Sequence, residues 1–280
     1  MPDPLISSRP IPSTGELMPV IGLGTWPVFD VGGEESARRP LREVVRRLLD
    51  TGARMIDSSP MYGRAEAVTG DLLADLKARP RAFLATKVWT TGRERGIEQM
   101  RRSASLMRSA VIDLMQIHNL VDWRTHLATL RRMKEADTIR YIGITHYTDR
   151  ALSDLAHILE NEPGIDFVQC GYSLAARAAE RELLPVAAAR GVAVIVNQPI
   201  GQGSLLRRLR GRALPDWAGE FDCASWAQLL LKYVLAEPAV TSVIPATRNP
   251  EHIRDNLAAR LGRLPDQKQR QRIRALWDAI

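Results

Sequence analysis

Cysteine is almost absent from this chain: Cys170 and Cys223 are the only two, and neither belongs to a CxxC or Cys/His cluster. That excludes a disulfide framework and a structural zinc site, and it suits a reducing compartment. No apolar run reaches the roughly 18 residues of a membrane span, and the start, MPDPLISSRP, lacks the charged and apolar regions of a signal peptide. A soluble, cytoplasmic protein without a membrane partner or a metal is expected. Aromatic residues make up only 5%, and although the formal net charge is +7, the arginines are scattered along segments such as LREVVRRLLD without interleaved aromatics. A stacking platform for nucleic acid is therefore not expected, whereas a small anionic ligand is compatible with the charge. Neither GLGTWP nor GQGSLL fits G-x-G-x-x-G, so the glycines give no dinucleotide fingerprint.

What the chain does have is periodicity. Its 280 residues are 45% hydrophobic and 25% charged, an ordinary globular composition. Short apolar or β-branched runs alternate eight times with segments carrying apolar residues at three- and four-residue spacing. The strand candidates are residues 20–26, 54–59, 82–88, 112–119, 140–147, 166–173, 191–199 and 240–246. From the second to the seventh they start about 25 to 30 residues apart, the length of one βα unit. Between them, Leu41, Val44, Val45, Leu48 and Leu49 share one helical face, with Pro40 suited to the first helical position and Gly52 to the C-cap. Val68, Leu72, Leu73 and Leu76 form a second stripe, and Leu152, Leu155, Ile158 and Leu159 a third. Eight strand-then-helix units without a composition break predict an α/β fold, a single-domain (β/α)8 TIM barrel spanning residues 1–280. A doubly wound open sheet is the rival architecture. Residues 1–19 read as a lid, with SRPIPSTGELMPV making a hairpin over the N-terminal end of the barrel. Residues 200–223 read as an inserted functional loop and residues 264–280 as an extra C-terminal helix.

In a TIM barrel the reactive groups stand at the C-terminal ends of the strands. Asp57 follows RMI, Tyr62 comes five residues later, Lys87 ends FLAT, and His118 ends DLMQI. Taken singly, Asp57 also suits a turn before Pro60, Tyr62 packing, and His118 a structural role. Lys87 is harder to dismiss. In a strand of apolar neighbours it is expensive to bury without a partner, and Asp57 on the adjacent strand can be that partner; the bland alternative is a snorkelling lysine. Together the four suggest a mechanism in which Lys87 lowers the Tyr62 pKa, Asp57 holds Lys87, and His118 orients a substrate oxygen. Such an acid performs half of a carbonyl reduction. The hydride for the other half requires a nicotinamide cofactor.

GLGTW, MIDSSPMYG, ATKVW, QIHN, GITHY, FVQCGYS and IPATRNPEHIRDN, in this order, resemble the aldo-keto reductase superfamily from about residue 10 to 260. The resemblance implies the (β/α)8 fold, NADPH-dependent reduction of aldehydes and ketones, and a catalytic tetrad of Asp57, Tyr62, Lys87 and His118. It further implies that Thr25 and Gln169 contact the nicotinamide end. Thr145 and His146 stand where the family usually has Ser-Asn for the carboxamide. Thr247, Arg248, Asp255 and Asn256 would meet the adenosine end, with Arg248 and the following helix start receiving the 2′-phosphate. The sequence departs from the family at Ala246 and His252, where a lysine and an arginine are common, and at Asn197, where many relatives stack an aromatic ring on the nicotinamide.

Trp26, Trp89 and Trp123 follow strand-end motifs and are expected to line the substrate pocket, with Phe29 as a further candidate; this favours apolar or aromatic carbonyl substrates. A monomer or weak dimer acting on a small-molecule carbonyl is the expected form. Two other readings stand beside it: an NADPH-binding sensor with little turnover, and a lyase that uses Lys87 to form a Schiff base.

Overall fold

The computed structural model describes residues 8–280. Residues 1–7 of the expected lid lie outside the described residues. The remainder of that segment is a hairpin: β1 (Ser8–Pro10) pairs antiparallel with β2 (Leu17–Pro19). Eight parallel strands follow: β3 (Leu23–Gly24), β4 (Met55–Asp57), β5 (Phe83–Val88), β6 (Ile112–His118), β7 (Ile139–His146), β8 (Phe167–Cys170), β9 (Ala193–Val196) and β10 (Val240–Val243). Each pairs with its sequence neighbour, and single bridges from Ile21 to Val243 and from Gly24 to Ala246 join the two edges. The open-sheet alternative is thereby replaced by a barrel.

Inward side chains follow the period of two. Met55 on β4, Phe83 and Ala85 on β5, Leu114 on β6, Tyr141 on β7, Phe167 on β8 and Ile195 on β9 belong to one buried cluster inside the barrel. The hairpin adds Ile11 and Met18 to this cluster and so plugs the N-terminal end. Above it, further along the same strands, the inward positions become polar, which is where a site can form.

Helices cover the outside: α1 (Glu35–Asp50), α2 (Ala65–Asp75), α3 (Arg93–Leu106), α4 (Trp123–Glu135), α5 (Leu152–Asn161), α6 (Ala179–Glu182), α7 (Leu184–Ala189), α8 (Ser204–Arg208), α9 (Trp226–Leu235), α10 (Pro250–Ala258) and α11 (Gln267–Asp278). The stripe expected on α1 is the face it buries. Five such aliphatic side chains contribute on the order of 10 kcal/mol before their ordering entropy is subtracted. The helix nonetheless begins before the expected Pro40, which lies inside it. Arg38 anchors the added turn, donating to Gly32 O at 2.8 Å and Asp71 Oδ2 at 2.7 Å.

The 200–223 segment folds as α8 flanked by 3-10 turns at Gly201–Gly203 and Asp216–Phe221. The chain ends on α11, whose start is a capping box between Asp266 and Gln269. Glu180 docks that helix: it accepts from Tyr172 and Tyr233 hydroxyls at 2.5 and 2.9 Å and from Arg270 and Arg274 at 2.9 and 2.5 Å. Among the described residues, no helix is long and apolar enough to cross a membrane.

Candidate active site

Strand register brings the four ionisable residues together. Asp57 ends β4 and Lys87 lies one position before the end of β5, both on the inward face. Lys87 stands opposite Gln116, and His118 ends β6 opposite Thr145. Lys87 Nζ donates to Asp57 Oδ2 at 2.7 Å and to Ser58 O at 2.6 Å, and it lies 5.2 Å from the Tyr62 ring centroid. The Tyr62 and His118 rings meet edge to face with centroids 6.0 Å apart. Both line a cavity of about 600 Å³ that opens at this rim.

The electrostatics differ from the sequence expectation in one respect. Burial raises the Tyr62 pKa; Lys87 pulls it down and Asp57 pushes it up, and the net position is above the ordinary phenol value. The expected lowering is thus corrected, because desolvation outweighs an ammonium whose charge Asp57 already offsets. Tyr62 consequently stays protonated through neutral pH, as a donor must. Burial also pushes Lys87 down, but Asp57 and Tyr62 outweigh it, and the ammonium is held above its usual value. Burial, with help from Lys87 and His146, drives His118 down to about 3. The imidazole is neutral, with Nδ1 in a 3.0 Å hydrogen bond to Ser59 Oγ.

Beside these groups the cavity wall carries Thr25, Thr145, Gln169 and Asn197. Thr25 Oγ1 donates to Asp57 O at 3.0 Å, and Thr145 Oγ1 donates to Gln169 Oε1 at 3.2 Å. Gln169 Nε2 in turn donates to Asp57 Oδ1 at 3.0 Å. Asn197 reaches Gln169 only weakly, at 3.5 Å, and its buried Oδ1 has no partner among the described residues. The arrangement can present a proton from Tyr62, a neutral imidazole and a cluster of amide and hydroxyl groups to a single cavity.

The aldo/keto reductase family profile matches residues 20–278. The chain belongs to the aldo/keto reductase family. Methylglyoxal reductase YeaE of Escherichia coli is 27% identical over 253 residues, covering 86% of this chain and 85% of that protein. Among solved structures, an aldo/keto reductase from Klebsiella pneumoniae in complex with NADP and acetate superposes with a TM-score of 0.81 at 24% identity, covering 94% of this chain and 93% of that one. An aldo-keto reductase from Bacillus halodurans in its holo form gives 0.78 at 23%, with 96% of each chain covered.

In this aldo/keto reductase, the structure places several expected site residues elsewhere. Trp26 lines the cavity, but Trp123 does not. Left-handed backbone at Asn119, Leu120 and Asp122 swings the chain outward after His118, and Trp123 opens α4 under the Arg124 guanidinium, 4.3 Å from its ring centroid. Trp89 stands beside the site, 6.4 Å from the His118 ring, without lining the cavity. Phe29 is fully buried in the core. His146 turns away because Thr145 takes the inward position: its Nδ1 accepts from Thr148 N at 3.3 Å, and its ring stacks on Tyr147.

At the other end of the cavity the wall is Pro245, Ala246 and His252, not the four residues expected for adenosine. Thr247 Oγ1 caps Asn249 N, Asn249 caps α10 through Glu251 N, and Arg248 lies exposed between them. Asp255 accepts from Ser225 and Gln228 at 2.8 and 2.6 Å, and Asn256 is buried. Sequence reasoning missed Met61, Tyr147, Gln202 and Leu206, which line the cavity, and Gln116, which donates to Asp57 Oδ1 at 3.0 Å. Gln116 carried a legible signal: it is polar in an apolar strand and lies two residues before His118, on the same face.

Proposed function

We propose that this aldo/keto reductase reduces aldehydes or ketones to alcohols with NADPH, Tyr62 acting as general acid. One observation carries the reading: a protonated phenol and a neutral imidazole face the same cavity while a salt-bridged ammonium lies against the phenol ring. The residues fit a nicotinamide. Thr145, Gln169 and Asn197 offer a hydroxyl and two amides from adjacent strand ends, and the unpartnered Asn197 Oδ1 can accept from a carboxamide. Arg248, exposed just before α10, offers a guanidinium for a phosphate. NADP in the Klebsiella pneumoniae structure, and the name of the Escherichia coli relative, support the same assignment.

Reduced NADPH, when bound, supplies the hydride that no side chain provides. Tyr62 donates its proton to the carbonyl oxygen. Lys87 stabilises the phenolate left behind, Asp57 keeps Lys87 charged and aligned, and the His118 nitrogen not bound to Ser59 orients the substrate oxygen. Trp26, Met61, Tyr147 and Leu206 favour an apolar or aromatic body on the substrate. Lys87 is a poor Schiff-base nucleophile here, since its ammonium donates to Asp57 and Ser58 and is stabilised in the charged form. A cofactor sensor with little turnover rests on Asn197, which offers no ring for stacking. Mixing the protein with NADPH and an aromatic aldehyde decides between them: loss of reduced-cofactor absorbance supports the reductase, and tight NADPH binding without turnover over a broad carbonyl panel supports the sensor.

A further inference from the structure

Both oxygens of Asp57 are held. Oδ2 accepts from Lys87 Nζ at 2.7 Å, while Oδ1 accepts from the Gln169 and Gln116 amides, each at 3.0 Å. Gln169 lines the cavity and its Oε1 already accepts from Thr145, so a ligand there competes for its amide. Gln116 is different. It is fully buried, does not line the cavity, and sits opposite Lys87 on one side and Gly143 on the other.

Two features show that its orientation is built in. Gln116 Oε1 is buried without a hydrogen-bond partner among the described residues. An unpaired buried acceptor is costly, but turning the amide over would set that oxygen against a carboxylate, so the donor stays on Asp57. The space comes from Gly143, where a Cβ would approach Gln116 Cγ to 2.8 Å. A side chain at 143 would displace the glutamine.

We infer that Gln116 is a positioning residue for proton transfer: it fixes the Asp57 carboxylate, which in turn keeps Lys87 beneath Tyr62. The inference rests on the reductase reading of the site. The titratable groups facing Tyr62 are Lys87, Asp57 and His118, and Gln116 acts on the first two. Without it the carboxylate is held by one amide, Lys87 is less firmly placed, and Asp57 bears more of its charge toward the phenol. Both changes make Tyr62 a weaker acid.

Gln116→Met keeps the volume and removes the donor. For carbonyl reduction, kcat should fall roughly tenfold with KM and NADPH affinity unchanged. Tyrosinate absorbance, read as the difference from Tyr62→Phe, should show the phenol titrating at higher pH than in the wild type. Gly143→Ala, which keeps the amide group but pushes it off Asp57 through its stem, should move that titration in the same direction and shift it no further in the double variant with Gln116→Met. An unchanged kcat and an unchanged Tyr62 titration in a folded Gln116→Met protein would overturn the inference. If that variant does not fold, an unchanged titration in Gly143→Ala overturns it instead. A wild-type protein that reduces no carbonyl sinks the reductase reading, while the tyrosinate titration still decides whether Gln116 governs Tyr62.

Discussion

Lys87 Nζ lies 2.7 Å from Asp57 Oδ2, and neither side chain is more than 4% exposed. A pair sealed from water in this way is costly to form and more costly to break, because the survivor keeps its charge without compensation. Asp57→Asn should therefore lower the unfolding free energy by about 3–5 kcal/mol in chemical denaturation. Adding Lys87→Met should recover most of that loss. Because the folded Lys87 pKa is raised above the 10.5 of the free side chain, its contribution is complete below that value and fades as pH rises through the folded one. The deficit of Asp57→Asn should accordingly be full at neutral pH. A double variant no more stable than the single one would show that the loss is not the orphaned charge.

His118 works in the opposite sense. Its pKa falls from 6.5 to about 3, so the stability linked to its neutral form is complete above 6.5 and is lost as pH drops toward 3. The imidazole resonances of His118, assigned by their absence in His118→Gln, should show no titration near 6.5, and the pH profile of kcat should have no limb there. A midpoint near 6.5 would mean that the ring is wetter than its contacts with Tyr62, Trp89 and Ser59 imply.

Much of this architecture was legible in the chain, for identifiable reasons. The α1 face of Leu41, Val44, Val45, Leu48 and Leu49 is set by a helical period that tertiary packing only reinforces. Asp57, Lys87 and His118 could be placed because strand ends in a barrel converge and because a buried lysine demands a counter-ion. Trp123 and His146 escaped the same logic. Their positions depend on what the backbone does after a strand stops: three left-handed residues in the first case, and one step of side-chain alternation in the second. The Tyr62 shift was missed because proximity to a cation is visible in sequence and the extent of desolvation is not.

Asn197 gives a gain-of-affinity test. Among the described residues its Oδ1 has no partner and its Nδ2 is 3.5 Å from Gln169, so replacing it breaks no strong contact within the protein and gives up only the one acceptor it offers a carboxamide. Asn197→Tyr places an aromatic face at the same cavity wall and should tighten NADPH binding by about 1 kcal/mol, roughly fivefold, in a fluorescence titration. Unchanged or weaker binding would place the pyridine ring away from residue 197.

In the proposed reaction Tyr62 delivers the proton while other groups hold the cofactor. Tyr62→Phe separates the two functions, since it deletes one hydroxyl and leaves the ring against Lys87. Steady-state reduction of an aromatic aldehyde and NADPH titration, measured on the same preparation, provide the test. Turnover should fall by at least about a hundredfold while the NADPH Kd stays within a factor of about two. Equal losses of turnover and binding, or turnover that survives, would contradict the account.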